Sequence, residues 1–150
     1  MIEIAVESPL GKEARALIAA SDAAMRAVFP PEECFTLAPE ELNRPEIRFF
    51  VARCAGRPLG CVAMVIFPDY AEVKRLLVLP DARGSGVGRR LMQHLEDAAR
   101  DLGLGLIRLE TGHALRPAMQ LYSALGYAPC APFGGYPDIP GNIFMEKRLD

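Results

Sequence analysis

Residues 1–6 alternate apolar and polar positions well enough for a short strand. Residues 12–28, rich in Ala, Leu and charge, predict a first helix ended by Pro30 and Pro31, and residues 39–43 a second, short one. Two β-type runs follow at residues 47–54 and 59–67, divided by a segment whose Gly56 and Pro58 suit a tight hairpin turn, and residues 70–79 supply another strand. Strands joined by such short loops must run antiparallel. From Gly86 the period changes: Val87, Leu91, Leu95, Ala98 and Leu102 recur at helical spacing, Arg89, Arg90, Glu96, Asp97 and Arg100 occupy the rest of the wheel, and Gly103 ends the helix. A strand at residues 104–110 then makes residues 70–110 a strand, helix, strand unit, for which a parallel, right-handed crossover is expected. Residues 117–125 read as a short helix stopped by Gly126. Strands at residues 127–131 and 143–148 close the chain around a loop rich in Gly and Pro, residues 132–142. No internal repeat interrupts this order.

A chain of 150 residues with these elements is expected to form a single domain, residues 1–150, able to bury about two thirds of its unfolded surface. Apolar residues make up 51%, charged residues 24%, and mean hydropathy is +0.13, yet no window approaches the ~20 apolar residues of a membrane span. A net charge of −2 argues against general nucleic-acid binding and leaves only a local basic patch at Arg83, Arg89 and Arg90. Cys34, Cys54, Cys61 and Cys130 show neither a CxxC pair nor zinc-ligand spacing, and residues 1–30 lack the succession of a signal peptide; the expectation is a reduced, cytoplasmic chain whose cysteines act as small apolar residues, without a metal.

The distinctive chemistry lies in the run LLVLPDARGSGVGR, residues 76–89, where an apolar strand turns through Arg83, Gly84, Ser85, Gly86, Val87 and Gly88 into the amphipathic helix. Alternate glycines let backbone approach a ligand closely, the helix offers unpaired N–H groups and its positive dipole end, and Arg83 and Arg89 add full charges: an anion cradle. The pattern is not the dinucleotide fingerprint, which needs a further glycine where Arg89 stands, nor a Walker loop, which needs Gly-Lys-Ser/Thr. The nearest acid, Glu72, stands at the far end of a strand rising about 3.3 Å per residue, so phosphate site and reactive site are well separated. A ligand with a long arm between pyrophosphate and reactive group suits that layout, and coenzyme A is such a molecule.

Arg83-x-x-Gly86-x-Gly88 resembles the Q/R-x-x-G-x-G/A signature of the GNAT superfamily of acyl-CoA-dependent N-acyltransferases. Leu121 to Tyr127 (LYSALGY) resembles the family's LYxxxGF/Y segment, and residues 143–149 (IFMEKRL) its closing strand, so the likeness spans residues 47–149. It implies an α/β (α+β) GNAT fold: a central mixed, mostly antiparallel twisted sheet of six to seven strands, flanked by about four helices and splayed between the fourth and fifth strands. It implies an N-acetyltransferase that moves acetyl from acetyl-CoA, as cosubstrate, to a primary amine by direct attack through a tetrahedral intermediate.

By the same resemblance, backbone amides from Leu76 through Leu77, Val78 and Leu79 hold the acyl carbonyl and pantetheine arm, while the loop from Arg83 to Arg89 holds the pyrophosphate. Glu72 stands where several relatives carry the glutamate that takes the amine proton; it equally reads as an anchor for a cationic acceptor or as an ion-pair partner of Lys74 or Arg75. Strand alternation puts Glu72 with Lys74, Leu76 and Val78 on one face. Tyr122 matches the tyrosine that protonates the coenzyme A sulfur in many relatives, against a plain core tyrosine; Leu115 replaces the family's frequent asparagine. His94 and His113 lack a triad or metal pattern. The acceptor pocket is expected from residues 29–35, with Glu32 and Glu33, and residues 133–142, with Tyr136 and Asp138, a lining suited to a small cationic amine. The alternatives are a protein amine as acceptor, a longer acyl group, or a coenzyme A-binding regulatory module without turnover. Similar proteins commonly pair, so a homodimer is compatible with the apolar content.

Overall fold

The computed structural model describes residues 1–34, 36–112 and 115–150, apart from the side chain of Glu33. Among them, strands β1 (Ile2–Val6), β2 (Ile47–Cys54), β3 (Arg57–Ile66), β4 (Ala71–Val78), β5 (Leu106–Gly112), β6 (Ala128–Pro129) and β7 (Asn142–Arg148) form one sheet in the order β1-β2-β3-β4-β5-β7-β6. The β4–β5 pair is parallel and every other pair antiparallel, as the meander and crossover require. Helices α1 (Lys12–Val28), α2 (Pro39–Leu42), α3 (Val87–Asp101) and α4 (Arg116–Ala124) flank it. This is the expected mixed, mostly antiparallel sheet with four helices.

Alternation in the central strands decides the two layers. On one face Phe50, Val62, Met64, Val73, Ile107 and Leu109 pack with Leu91 and Leu95 of α3; on the other Phe49, Val51, Cys61, Ala63 and Val65 pack with Leu17 and Ile18 of α1 and with Leu42. Each fully buried Leu, Ile or Phe contributes about 1.5–3 kcal/mol, so the central strands carry most of the stabilisation. The β2–β3 turn is a two-residue hairpin, Ala55 at φ 51° and Gly56 at φ 80°, which matches the strands' right-handed twist.

Three differences from the sequence expectation have local causes. Proline breaks become short 3₁₀ turns at Pro31–Glu33 and Pro80–Ala82. The strand expected over residues 127–131 shrinks to Ala128–Pro129 because the Tyr127 amide instead closes α4 by bonding the Tyr122 carbonyl at 3.0 Å, and Pro129 has no N–H to give. The third difference lies in β4. Cys61 opposes Leu77 but Ala63 opposes Lys74, so β4 carries one extra residue there, and Arg75 takes φ 60°, a left-handed conformation that costs a non-glycine residue about 1 kcal/mol or more.

That bulge shifts the phase of the strand. Glu72, Lys74 and then Arg75 lie on the α1 side, followed by Leu77, while Val73, Leu76 and Val78 pack with the α3 layer. Glu72 and Lys74 therefore do not share a face with Leu76 and Val78. Pairing with β5 is confined to Ala71–Val73 against Ile107–Leu109, and beyond it the two strands part, the expected splay.

Buried Glu96 of α3 accepts hydrogen bonds from the Tyr127 hydroxyl at 2.8 Å and from Lys147 at 2.9 Å, tying α3 to β7 and to the end of α4. Its charge is compensated in place, which a buried carboxylate requires.

On the far side of β4, Gly60 of β3 allows close approach: a Cβ there would stand 2.3 Å from the Leu77 carbonyl oxygen. The obstacle is backbone, so β3 and β4 would have to separate. Gly60→Ala is expected to destabilise the fold by about 2 kcal/mol or more, read as a lower urea midpoint.

Candidate active site

The glycine loop is built for close approach. Gly84 and Gly86 both sit at φ 83°, Gly86 caps α3, and a Cβ at either would meet nothing within 4 Å, so the loop's outer side is open. No side chain caps α3, which leaves its first-turn N–H groups for a ligand. Val87 and Gly88 are buried, and a Cβ on Gly88 would lie 3.0 Å from Leu121 of α4 and 3.5 Å from Val78 of β4, so the first turn of α3 is pressed onto both. The Ser85 hydroxyl donates to the Ala82 carbonyl and shapes the turn. Arg83 donates through Nε to the Val78 carbonyl at 3.3 Å, while Arg83 and Arg89 remain exposed beside the loop. This donor set of backbone N–H groups and free guanidinium charge fits a diphosphate.

The splayed strand divides its amides between two sides. Leu79 N–H bonds the Leu59 carbonyl at 2.8 Å, so by alternation Leu77 also faces β3. Val78 and Leu76 point their amides into the gap that β5 has left. Of the expected contacts Leu77, Val78 and Leu79, Val78 is thus the one with its amide toward the gap.

A cleft opens where the strands part, walled by Glu72, Lys74, Glu110, Leu115, Tyr122 and Tyr136 among others. Glu72 is 3% exposed; its Oε2 accepts the Tyr136 hydroxyl and stands 3.4 Å from Lys74 Nζ, which in turn touches the Tyr136 hydroxyl. Burial and the neighbouring Glu72 carboxylate hold the Tyr136 phenol well above its ordinary range. Of the cations beside Glu72 in sequence, Lys74 is its partner, whereas Arg75 turns to Asp22.

Glu110, at the C-terminal end of β5, was not singled out from the sequence. Alternation with core residues Ile107 and Leu109 puts it on the Glu72 side, and among the described residues no hydrogen bond or ion pair holds its carboxylate. Burial pushes its pKa up to about 7, with the Glu72 charge adding and Lys74 opposing. The signal in the sequence was an acid two residues beyond Arg108 in LIRLETG, on the strand face opposite the apolar Ile107 and Leu109. Tyr122 faces the cleft from α4, 6% exposed, its ring 5.9 Å from that of Tyr127, and no described residue bonds its hydroxyl. Burial foremost, and the Glu110 charge next, raise the Tyr122 phenol, so its proton stays on through neutral pH.

Around the acceptor side, Met25 and Phe29 from the end of α1 and Leu37 line the cleft, and the Phe29 ring fills the place of a β5 side chain, 2.3 Å from where a Cβ on Gly112 would stand. Glu32 is exposed and is not among the cleft's walls; the Glu33 side chain and His113 lie outside the described residues. His94 packs edge-on against Phe50, with ring centroids 5.1 Å apart. Cys61 is a buried thiol that desolvation raises to about 12, an inert core residue. No helix among the described residues is long and apolar enough to cross a membrane.

The fold agrees with the comparisons. Residues 15–127 match the model of the Acetyltransferase (GNAT) family, and the chain belongs to that family of acyltransferases. It is 42% identical over 150 residues to the IAA acetyltransferase of Azospirillum brasilense, covering 99% of this chain and 98% of the relative. A Klebsiella pneumoniae structure, whose acyl-CoA N-acyltransferase function is itself an assignment, superimposes with a TM-score of 0.85 at 32% identity, covering 100% of this chain and 99% of that one. The PaiA N-acetyltransferase of Thermoplasma acidophilum, solved with coenzyme A, shares the fold at a TM-score of 0.75 and 18% identity, over 99% of each chain.

Glu110 makes stability depend on pH. A raised pKa means the folded chain holds this proton more tightly than the unfolded chain, so the contribution is full below the ordinary value of 4.5 and is lost as pH rises through about 7. Glu110→Gln, which mimics the protonated form, is expected to raise the thermal midpoint over wild type at pH 8 and to match it at pH 4, as followed by circular dichroism.

Proposed function

We propose that the chain transfers acetyl from acetyl-CoA to a primary amine of a small molecule. The observation that carries this reading is the convergence, where β4 and β5 part, of two carboxylates and a protonated phenol in one cleft, on a strand whose other end leads into the open glycine loop. The match to the GNAT family and the coenzyme A held by a protein of the same fold support acetyl-CoA as donor. The small-molecule acceptor is favoured by the aromatic and acidic lining of the cleft, where Phe29 and Tyr136 stand with Glu72 and Glu110.

Each step has a group placed for it. The Leu76 and Val78 amides polarise the acyl carbonyl. Glu72, held by Tyr136 and Lys74, attracts and anchors a cationic amine. Glu110, poised near neutrality, takes the amine proton directly or through water. The amine nitrogen then bonds the carbonyl carbon, the C–S bond breaks, and the departing sulfur takes the Tyr122 proton. The nitrogen's second proton passes through water to the Tyr122 phenolate, and Glu110 releases the first to solvent, so one proton leaves per turnover. Glu72 is therefore assigned the anchoring role and Glu110 that of base.

Thiol release from acetyl-CoA against a panel of small amines, amino acids and peptides tests the reading. One or more small amines should accelerate release; coenzyme A binding with no amine consumed would overturn turnover, and preference for peptides would overturn the acceptor class. Tyr122→Phe should lower kcat roughly 100-fold with little change in KM for acetyl-CoA. The wild-type kcat/KM should rise with pH through about 7, and Glu110→Gln should flatten that limb while lowering the plateau.

A further inference from the structure

We infer that Arg75 is a positioning residue: its guanidinium locks the β4 bulge to the end of α1 and to residue 37, so that the strand offering amides to the donor and the wall facing the acceptor hold one geometry. This rests on the acetyl-CoA reading above and adds a residue that neither the loop signature nor the cleft chemistry includes.

Arg75 breaks two rules at once. It occupies φ 60° in the middle of a strand, where glycine alone is unstrained, and its side chain is 3% exposed although long and charged. The guanidinium spends its donors across separate elements. Nη1 reaches the Ile18 carbonyl at 3.2 Å, the Ser21 hydroxyl at 2.7 Å and the Asp22 carboxylate, and Nη2 reaches the Leu37 carbonyl. Nε–H is buried without a hydrogen-bond partner. A residue chosen for local stability would be glycine, or an apolar side chain against α1. An arginine that accepts backbone strain and an unpaired donor marks a geometry worth holding.

What it holds follows from the register. Pairing of β4 with β5 stops at Val73, two residues before Arg75, and the bulge between Lys74 and Leu77 decides which later amides face the gap. A slip of one residue would turn Leu76 and Val78 toward β3 and present Leu77 instead. Ile18, Ser21 and Asp22 belong to α1, whose next turn brings Met25 and Phe29 to the cleft, and Leu37 lies on the same wall. The clamp therefore sets amide direction on one side of the gap and wall position on the other.

Arg75→Gly separates the two roles of the residue, because it relieves the backbone and removes the clamp. Coenzyme A affinity, measured by calorimetry at a temperature where each variant is folded, is the readout. Wild type should bind; if it does not, the donor reading itself fails. Arg75→Gly should then bind coenzyme A about tenfold more weakly, Arg75→Lys should recover part of the loss, and Asp22→Asn, which spares the bulge, should weaken binding about threefold. With any amine turned over, KM for acetyl-CoA should rise and kcat fall together. A merely structural arginine predicts lower thermal midpoints with binding of the folded protein unchanged, so Arg75→Gly within twofold of wild type overturns the inference. Should Arg75→Gly not unfold cooperatively, Asp22→Asn decides: affinity within a factor of 1.5 or so of wild type overturns the inference, and a larger loss sustains it.

Discussion

Everything in the site depends on where β4 lets go of β5. Three residues of parallel pairing, Ala71–Val73 against Ile107–Leu109, hold the two halves of the sheet together, and past them the strands part. Backbone groups in a sheet interior normally satisfy one another, so amides without a ladder partner there must find another acceptor. In the reaction proposed above, a thioester carbonyl and the amide-bearing arm behind it supply one. The same parting admits Tyr122 from the α3 side and Glu110 from the α1 side to one opening, although the sheet separates their layers everywhere else.

The second constraint is electrostatic. Glu72 and Glu110 share a half-buried cleft in which Lys74 is the cation acting on both. Burial above all, with the Glu72 charge adding and Lys74 opposing, holds the Glu110 carboxyl toward neutrality, while Glu72 is tied to Lys74 and Tyr136. In the reaction proposed above, an arriving ammonium changes that balance: it offsets the desolvation of the second carboxylate and draws Glu110 toward its charged, proton-accepting form. Acceptor binding and base activation are then one event, and a neutral ligand of the same shape would gain neither.

Most of the architecture was legible in the sequence because local signals and burial agree there. α1 spans residues 12–28 and β2 residues 47–54, the bounds expected, since helix-ending prolines and a hairpin turn punctuate both. The parallel crossover followed from a strand, helix, strand order that has one common solution. What escaped depends on tertiary geometry. The bulge at Arg75 has no local marker, as nothing in AEVKRLLV distinguishes a strand that skips a step from one that does not, and the phase assigned to Leu76 and Val78 failed with it. Glu110 was passed over because Glu72, read as base, anchor or ion-pair partner, stood for the acid of the cleft; the structure ties Glu72 to Lys74 and Tyr136 and adds Glu110 beside it. Glu32 drew attention through its segment's place in the resemblance and through its charge, neither of which says where the side chain points, and it stands exposed outside the cleft's walls.

The costs in this molecule are not spread evenly, and their distribution is informative. The core layers contain apolar side chains in ordinary strands, and the buried acid outside the cleft's walls, Glu96, has both a phenol and an ammonium to satisfy it. Around the gap the pattern reverses: a left-handed arginine with an unpaired Nε, a carboxyl held near neutrality, and a largely buried phenol whose hydroxyl no described residue bonds. None of these would survive selection for stability alone, because each has a cheaper replacement of similar size. Their coincidence within one opening is better explained by work done there than by accumulated defects, since neutral defects would fall at random over the sheet.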